Sequence, residues 1–172
     1  MRTLAFGLLV LPFGCPIPAA PALDGPGVVS VEWTASRSGG FAARPEVSWC
    51  PADSMLEILA IRGDTAFGLT LFAQDSLRLG HFPVVSGAVS SSWRPLAFGA
   101  LRWVNDSANI GFEATGGNVQ VTRADGGFVS GTLDARFKLV DGPDTLRVTG
   151  KFLDLMINPA VGQCGRAFKP RP

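Results

Sequence analysis

From Val28 onward, hydrophobic and polar positions alternate with period two, and no window of useful length sustains a 3.6-residue pattern. The clearest run is Val129 to Leu139, where Val129, Gly131, Leu133, Ala135, Phe137 and Leu139 alternate with Ser130, Thr132, Asp134, Arg136 and Lys138. Such a run predicts a strand with one buried and one wet face. Thr145 to Phe152 repeats the pattern, and Asp141-Gly142-Pro143-Asp144 between them predicts a hairpin turn. Upstream, Asn109 to Ala114 and Asn118 to Arg123 read as two more strands, with Ala124-Asp125-Gly126-Gly127 as the next turn. Residues 109 to 152 are thus expected to form a four-stranded meander.

The N-terminal half is less regular. Val28 to Thr34 alternates, and Met55 to Ile61 and Ala66 to Ala73 flank the turn-like Arg62-Gly63-Asp64-Thr65. Ser76 to Phe82, Ala88 to Trp93 and Ala97 to Val104 are further strand candidates, and Trp49-Cys50 sits on another. Pro51 to Glu57 carries a capping arrangement that predicts a short helix. The class that follows is all-β: an antiparallel meander closing into a barrel or tightly coiled sandwich of about 8 to 10 strands. Gly131, Gly150 and Gly116-Gly117 lie within or beside strands, which predicts strong sheet curvature and favours closure.

The N-terminus changes what counts as the folded chain. Met1-Arg2-Thr3, the apolar run Leu4 to Phe13 and the site Ala20-Pro21-Ala22 have the three parts of a secretory signal peptide. The expectation is cleavage after Ala22, leaving 23–172 as a single exported domain, periplasmic or extracellular. A second reading takes Gly14-Cys15 as a lipoprotein processing site with Cys15 lipidated, and a third keeps residues 1 to 22 in place. The apolar run is shorter than the roughly 20 residues that span a bilayer, and no later stretch is longer.

Fifteen Lys and Arg against fourteen Asp and Glu leave a net charge of +1. Loss of Arg2 with the signal peptide brings the domain to zero, which argues against nucleic acid as a partner. With Cys15 gone, the three cysteines become a pair, Cys50 and Cys164, expected to form one disulfide in an oxidising compartment.

Candidate chemistry is sparse. His81 is the one histidine, placed by the alternation of Leu77 and Leu79 on an apolar face, and no metal cluster, cofactor motif or Gly-x-Ser-x-Gly nucleophile turn is present. Catalysis would rest on carboxylates such as Asp53, Glu57 and Glu113, with a hydrolase as the third reading. Arg62-Gly63-Asp64 spells an adhesion tripeptide and Asn105-Asp106-Ser107 a glycosylation acceptor, and ordinary turn chemistry accounts for both. The segment Trp93-Arg94-Pro95-Leu96-Ala97-Phe98 with Leu101-Arg102-Trp103 concentrates the residue types most enriched at binding hot spots. Trp93, Arg94, Phe98, Arg102 and Trp103, with Trp33, are therefore the candidate binding residues.

Gly127 to Phe137 followed by Leu146-Arg147-Val148-Thr149-Gly150-Lys151-Phe152 resembles uncharacterised secreted and lipoprotein β-domains of bacteria, and the architecture is similar to calycin-like binding barrels. The resemblance implies an exported β-domain and carries over no catalytic residue. The leading expectation is a non-enzymatic domain that binds a small apolar ligand, in a cavity lined by Trp33, Phe98 and Trp103, or an envelope partner. The alternative is a structural or interaction module of the cell surface without a pocket.

Overall fold

A computed structural model describes residues 25–35, 38–87, 94–105 and 108–159. The signal-peptide segment with Cys15, the strand candidate Ala88 to Trp93, and Cys164 lie outside the described residues. The strands are β1 (Val28–Thr34), β2 (Gly39–Ala43), β3 (Glu46–Cys50), β4 (Met55–Arg62), β5 (Thr65–Phe72), β6 (Gly80–Val84), β7 (Leu96–Asn105), β8 (Ala108–Asp125), β9 (Phe128–Leu139), β10 (Thr145–Met156) and β11 (Asn158–Pro159). They form one sheet in the order β11-β3-β4-β5-β7-β6-β8-β9-β10-β1-β2, with β7 also paired to β8. Coiling brings this sheet round into a half-barrel. The all-β class stands, and most pairs are antiparallel, but the sheet is mixed: β11 runs parallel to β3, and β6 touches β7 in parallel at Val84 and Ala97.

β2 at one end of the sheet and β3, next to β11 at the other, are consecutive in the chain and separated by Arg44-Pro45. No ladder is recorded between them, and the seam is crossed instead by Arg62 Nη1, which donates to the Ala42 carbonyl at 3.1 Å.

The period-two runs land as expected. On β9 the odd residues Val129 to Phe137 are buried and the even residues from Thr132 to Lys138 exposed. The turns at Gly126-Gly127 and 140–144 join β8 to β9 and β9 to β10. The four-stranded meander is, however, three strands. The segments 109–114 and 118–123 belong to one 18-residue strand, β8, with register shifts at Ala114/Gly116 and Val121/Arg123. The Gly116-Gly117 pair that looked like an interruption stays in the ladder, directly after a bulge at Thr115. Gly117 takes φ +127°, and a Cβ there would stand 2.3 Å from the Asp134 carbonyl oxygen on β9. Only glycine lets the two strands approach so closely at that bend.

Two other expectations fail locally. Pro51 to Glu57 is not a helix: a 3-10 turn covers Pro51–Asp53, Ser54 closes it in the left-handed region, and the chain enters β4 at Met55. The capping signal was outweighed by the apolar run Met55 to Ile61, which pairs along its whole length with β5. Ser76 to Phe82 is a strand only from Gly80. Its inward residues are Phe82 and Val84, so His81 faces out and is exposed rather than lying with the apolar residues.

The interior of the half-barrel is filled. Phe67, Phe82, Phe112, Phe137 and Phe152 join Leu56, Ile58, Leu69, Leu71 and Leu101 in one buried cluster that draws on every strand but β11. Burying this much apolar surface is the dominant favourable term in folding.

Candidate functional site

Directly opposed residues of paired strands share a face, so register sorts the candidate binding residues. On β7, Ala97, Leu101 and Trp103 share the inner face, while Leu96, Phe98 and Arg102 share the outer one. Trp33 and Trp103 do come together: their rings stand 5.2 Å apart, edge to face, and Trp103 meets Phe112 in the same manner at 5.3 Å. All three lie at the edge of the core, with Trp33 folded onto Gly39 of β2, where a Cβ would strike the indole. These rings close one end of the packed interior.

Phe98 is not part of that cluster. It lies on the other face of β7, where it meets Phe72 edge to face at 5.5 Å. The Arg94 guanidinium stacks over Phe72 at 5.2 Å, and its Nη1 donates to the carbonyls of Asp53 and Ala73. Arg94 thus ties the bend that enters β7 to the turn before β4 and to the end of β5. Trp93 lies outside the described residues. The six candidates therefore separate into an inner pair, Trp33 and Trp103, and an outer set, Arg94, Phe98 and Arg102. An interior cavity shared by Trp33, Phe98 and Trp103 is ruled out by strand parity.

The outer face divides in two along the sheet. Over β8, β9 and β10 it is polar and wet: Asn118, Gln120, Asp134, Arg136, Lys138, Arg147 and Lys151 point outward. Arg147 forms a two-pronged pair with Asp134, donating from Nε at 3.1 Å and Nη2 at 2.8 Å, and this holds the Asp134 carboxyl below its ordinary value and the guanidinium above its own. At the far end of β10, Asp154 takes φ +46° at a register shift and accepts hydrogen bonds from Arg123 and Ser130, while its own amide donates to Ser130 Oγ at 2.8 Å. Those donors, Arg123 first, hold the Asp154 carboxyl below the usual carboxylate range.

Over β4, β5 and β7 the outer face is apolar. One register line runs Ile61, Ala66, Arg102 and Gly111 across β4, β5, β7 and β8. Val104 shares the face of Arg102, and Val140 packs onto Gly111. Ile61, Val104 and Val140 are 62%, 50% and 56% exposed. This end of the face, with Arg102 at its centre, is an open apolar patch. No single feature of the sequence announced it, because Ile61, Arg102 with Val104, and Val140 come from three separate segments and only Arg102 belonged to the candidate set.

The remaining candidates are dispersed. Asp53 is exposed in the 3-10 turn, Glu57 is buried in β4 opposite Thr70, and Glu113 is exposed on β8 opposite Lys138. They do not form a pair flanking a cleft. His81 Nδ1 stands 2.8 Å from Asn118 Nδ2. Beside it, a cleft of about 220 Å³ lies among Ala73, Asp75, Arg78, Phe82 and Pro95, smaller than the roughly 300–1,000 Å³ of most ligand pockets. Arg62-Gly63-Asp64 is at the β4–β5 hairpin as expected, but its arginine is engaged with the Ala42 carbonyl and Asp64 accepts from Thr65. Among the described residues no group of three His, Cys, Asp or Glu is placed to hold a metal ion, and no helix is long and apolar enough to cross a membrane. Compared with known proteins, the chain matches no family model, no curated protein and no solved structure.

Proposed function

We propose that the chain is an exported, non-enzymatic β-domain that recognises an envelope partner through the outer face of β4, β5 and β7. The observation that carries this reading is the open apolar patch of Ile61, Val104 and Val140 around Arg102, set on a sheet whose other outer half is polar. Arginine within an apolar surround is a frequent composition of interface centres, since the guanidinium adds directional hydrogen bonds to a surface that releases water. A small apolar ligand held inside is the second reading, and it is less well supported because phenylalanine and leucine side chains occupy the interior. Export through a signal peptide ending at Ala22 is part of the proposal, with lipidation at Cys15 as its minority form.

The test is site-specific photo-crosslinking in cells that export the protein, with the reactive group at Val104 or Ile61 and, as a control, at Lys151 on the polar face. Discrete protein adducts from positions 104 and 61 and none from 151 support the reading. Equal or absent crosslinking at all three, or a stoichiometric lipid in the natively purified protein, would replace it with the ligand-binding or structural reading. The mass of the exported form locates the N-terminus at Leu23 or a lipid on Cys15.

A further inference from the structure

The cleft beside His81 lies at the end of β5 and β7 remote from the open patch. One wall is the loop of residues 73–79 that joins β5 to β6, and both ends of this loop are fixed. At its start the Ala73 amide donates to the Ser54 carbonyl at 2.8 Å, and Ser54 Oγ donates to the Asp75 carbonyl at 3.2 Å. At its end Gly80 enters the ladder opposite Val121. Asn118 Nδ2 donates to His81 Nδ1 at 2.8 Å, which anchors the ring and leaves Nε2 as its remaining donor. The walls are therefore held before anything binds, which lowers the ordering cost of binding.

The lining carries two opposite charges that do not meet. Asp75 and Arg78 both border the cleft, yet among the described residues neither takes part in an ion pair. Arg78 Nε makes one long contact, 3.4 Å to Ser76 Oγ, so the outer fork of its guanidinium stays open. Beside it Leu79 is 65% exposed, more than Ile61 or Val104 in the open patch, and it borders the same space with Pro95 and the buried Phe82. A separated cation and anion thus share an apolar wall around about 220 Å³. That space equals roughly seven water volumes, enough for one small molecule.

We propose that this cleft binds a small zwitterion, a molecule carrying one carboxylate and one ammonium on a short aliphatic body, as in a free α-amino acid with a small apolar side chain. The carboxylate takes the open fork of Arg78 in a two-pronged pair, with His81 Nε2 as a further donor. The ammonium donates to the Asp75 carboxylate, and the aliphatic part covers Leu79. Arg78 and Asp75 sum to zero charge, as the zwitterion does, so both groups are matched by one ligand. A plain acid would face Asp75 unneutralised, and a plain amine would face Arg78. The inference stands independently of what the open patch binds.

The experiment is a titration of the isotope-labelled protein with valine, followed by amide chemical shifts in the NMR spectrum. Saturable shifts are expected at Asp75, Arg78, Leu79 and His81, with Ile61 and Val104 unmoved. Isovalerate, which lacks the ammonium, and isobutylamine, which lacks the carboxylate, should each bind about tenfold more weakly, the loss of one charge-assisted pair. Asp75→Asn and Arg78→Gln should each weaken valine binding by about the same factor while the rest of the spectrum is retained. Both side chains are exposed, so neither change disturbs the core, and Arg136→Gln on the polar face should leave binding as it was. Absence of saturable shifts, shifts at the open patch instead, isovalerate binding as tightly as valine, or undiminished binding in either cleft variant overturns the proposal.

Discussion

Adjacent glycines on β8 should respond to the same substitution in opposite ways. At Gly117 the backbone has φ +127°, and an added methyl would meet the Asp134 carbonyl oxygen at 2.3 Å and the Ala135 Cα at 2.5 Å. Both obstacles are main chain of β9, fixed by the ladder, so no side-chain rotation relieves them. At Gly116 nothing stands within 4 Å of the same methyl and the backbone needs no positive φ. For Gly117→Ala the strained dihedral costs about 1–3 kcal/mol and the forced overpacking a similar amount. The lost unfolded-state entropy returns about 0.4–1 kcal/mol. The net is a destabilisation of about 3 kcal/mol, or about 6–12 °C in Tm for a domain of this size. Gly116→Ala keeps the last contribution alone and should be neutral or stabilising by up to about 1 kcal/mol.

The assay is reversible denaturant unfolding of the protein followed by tryptophan fluorescence, with thermal melts as a second measure. The pair is informative because composition, strand and exposure to the partner strand are held nearly constant, leaving backbone geometry as the variable. If Gly117→Ala matches wild type, the close approach of β8 to β9 is wrong. If Gly116→Ala loses as much as Gly117→Ala, the positive-φ position has been placed at the wrong residue.

Phe137→Ala, at a fully buried position of the core, should cost about 3–5 kcal/mol by equilibrium unfolding; a loss below 1 kcal/mol would mean a loosely filled interior with room for a ligand. A double-mutant cycle on Trp33 and Trp103, read by unfolding, should give a coupling of about 0.5–1.5 kcal/mol for their edge-to-face contact, and zero coupling would separate the two rings. Asp134 and Asp154 are held below their ordinary values by Arg147 and Arg123. Their contribution is therefore present above the unfolded carboxylate value of about 3.9 and fades as pH falls through the lower folded values. The stability difference between wild type and Arg147→Met should accordingly be small at neutral pH, shrink in acid and weaken with salt; a difference that grows in acid would refute the assignment.

The strands most legible in the sequence are those with one wet face. On β9 and β10 every second residue meets water, so Arg136, Lys138, Arg147 and Lys151 write the alternation openly. The first strand, β1, and the hairpins around Gly126-Gly127 and Gly63-Asp64 follow from the same local rules. Parity failed where a strand starts late: counting from Leu77 puts His81 inward, but the ladder with β8 begins at Gly80 and is set by Phe82 and Val84. Continuity failed at Gly116-Gly117, because a glycine pair marks a turn and a bulge equally well, and only the register with β9 tells them apart. The candidate site was half legible for the related reason that residues close in sequence alternate faces. Phe98 and Trp103, five apart on one strand, were joined in a single cavity when period two separates them.

The same reasoning gives the less regular half of the chain a meaning. Met-Leu-Glu-Ile-Leu-Ala-Ile on β4, Ala-Phe-Gly-Leu-Thr-Leu-Phe on β5 and Leu-Ala-Phe-Gly-Ala-Leu on β7 are nearly continuous apolar runs. A strand with one wet face alternates, whereas a strand covered on both sides has no polar face to show. Loss of alternation in these three neighbouring strands, and not in β9 or β10, thus marks the part of the sheet whose outer surface is meant to be covered. Burial follows that division at Cys50, Met55, Glu57 and Thr70, and it stops short of Ile61 and Val104 at the other end. An apolar outer face that is covered at one end and open at the other, on a chain whose net charge is only +1, leaves shape and local contacts at the open end for the recognition proposed above.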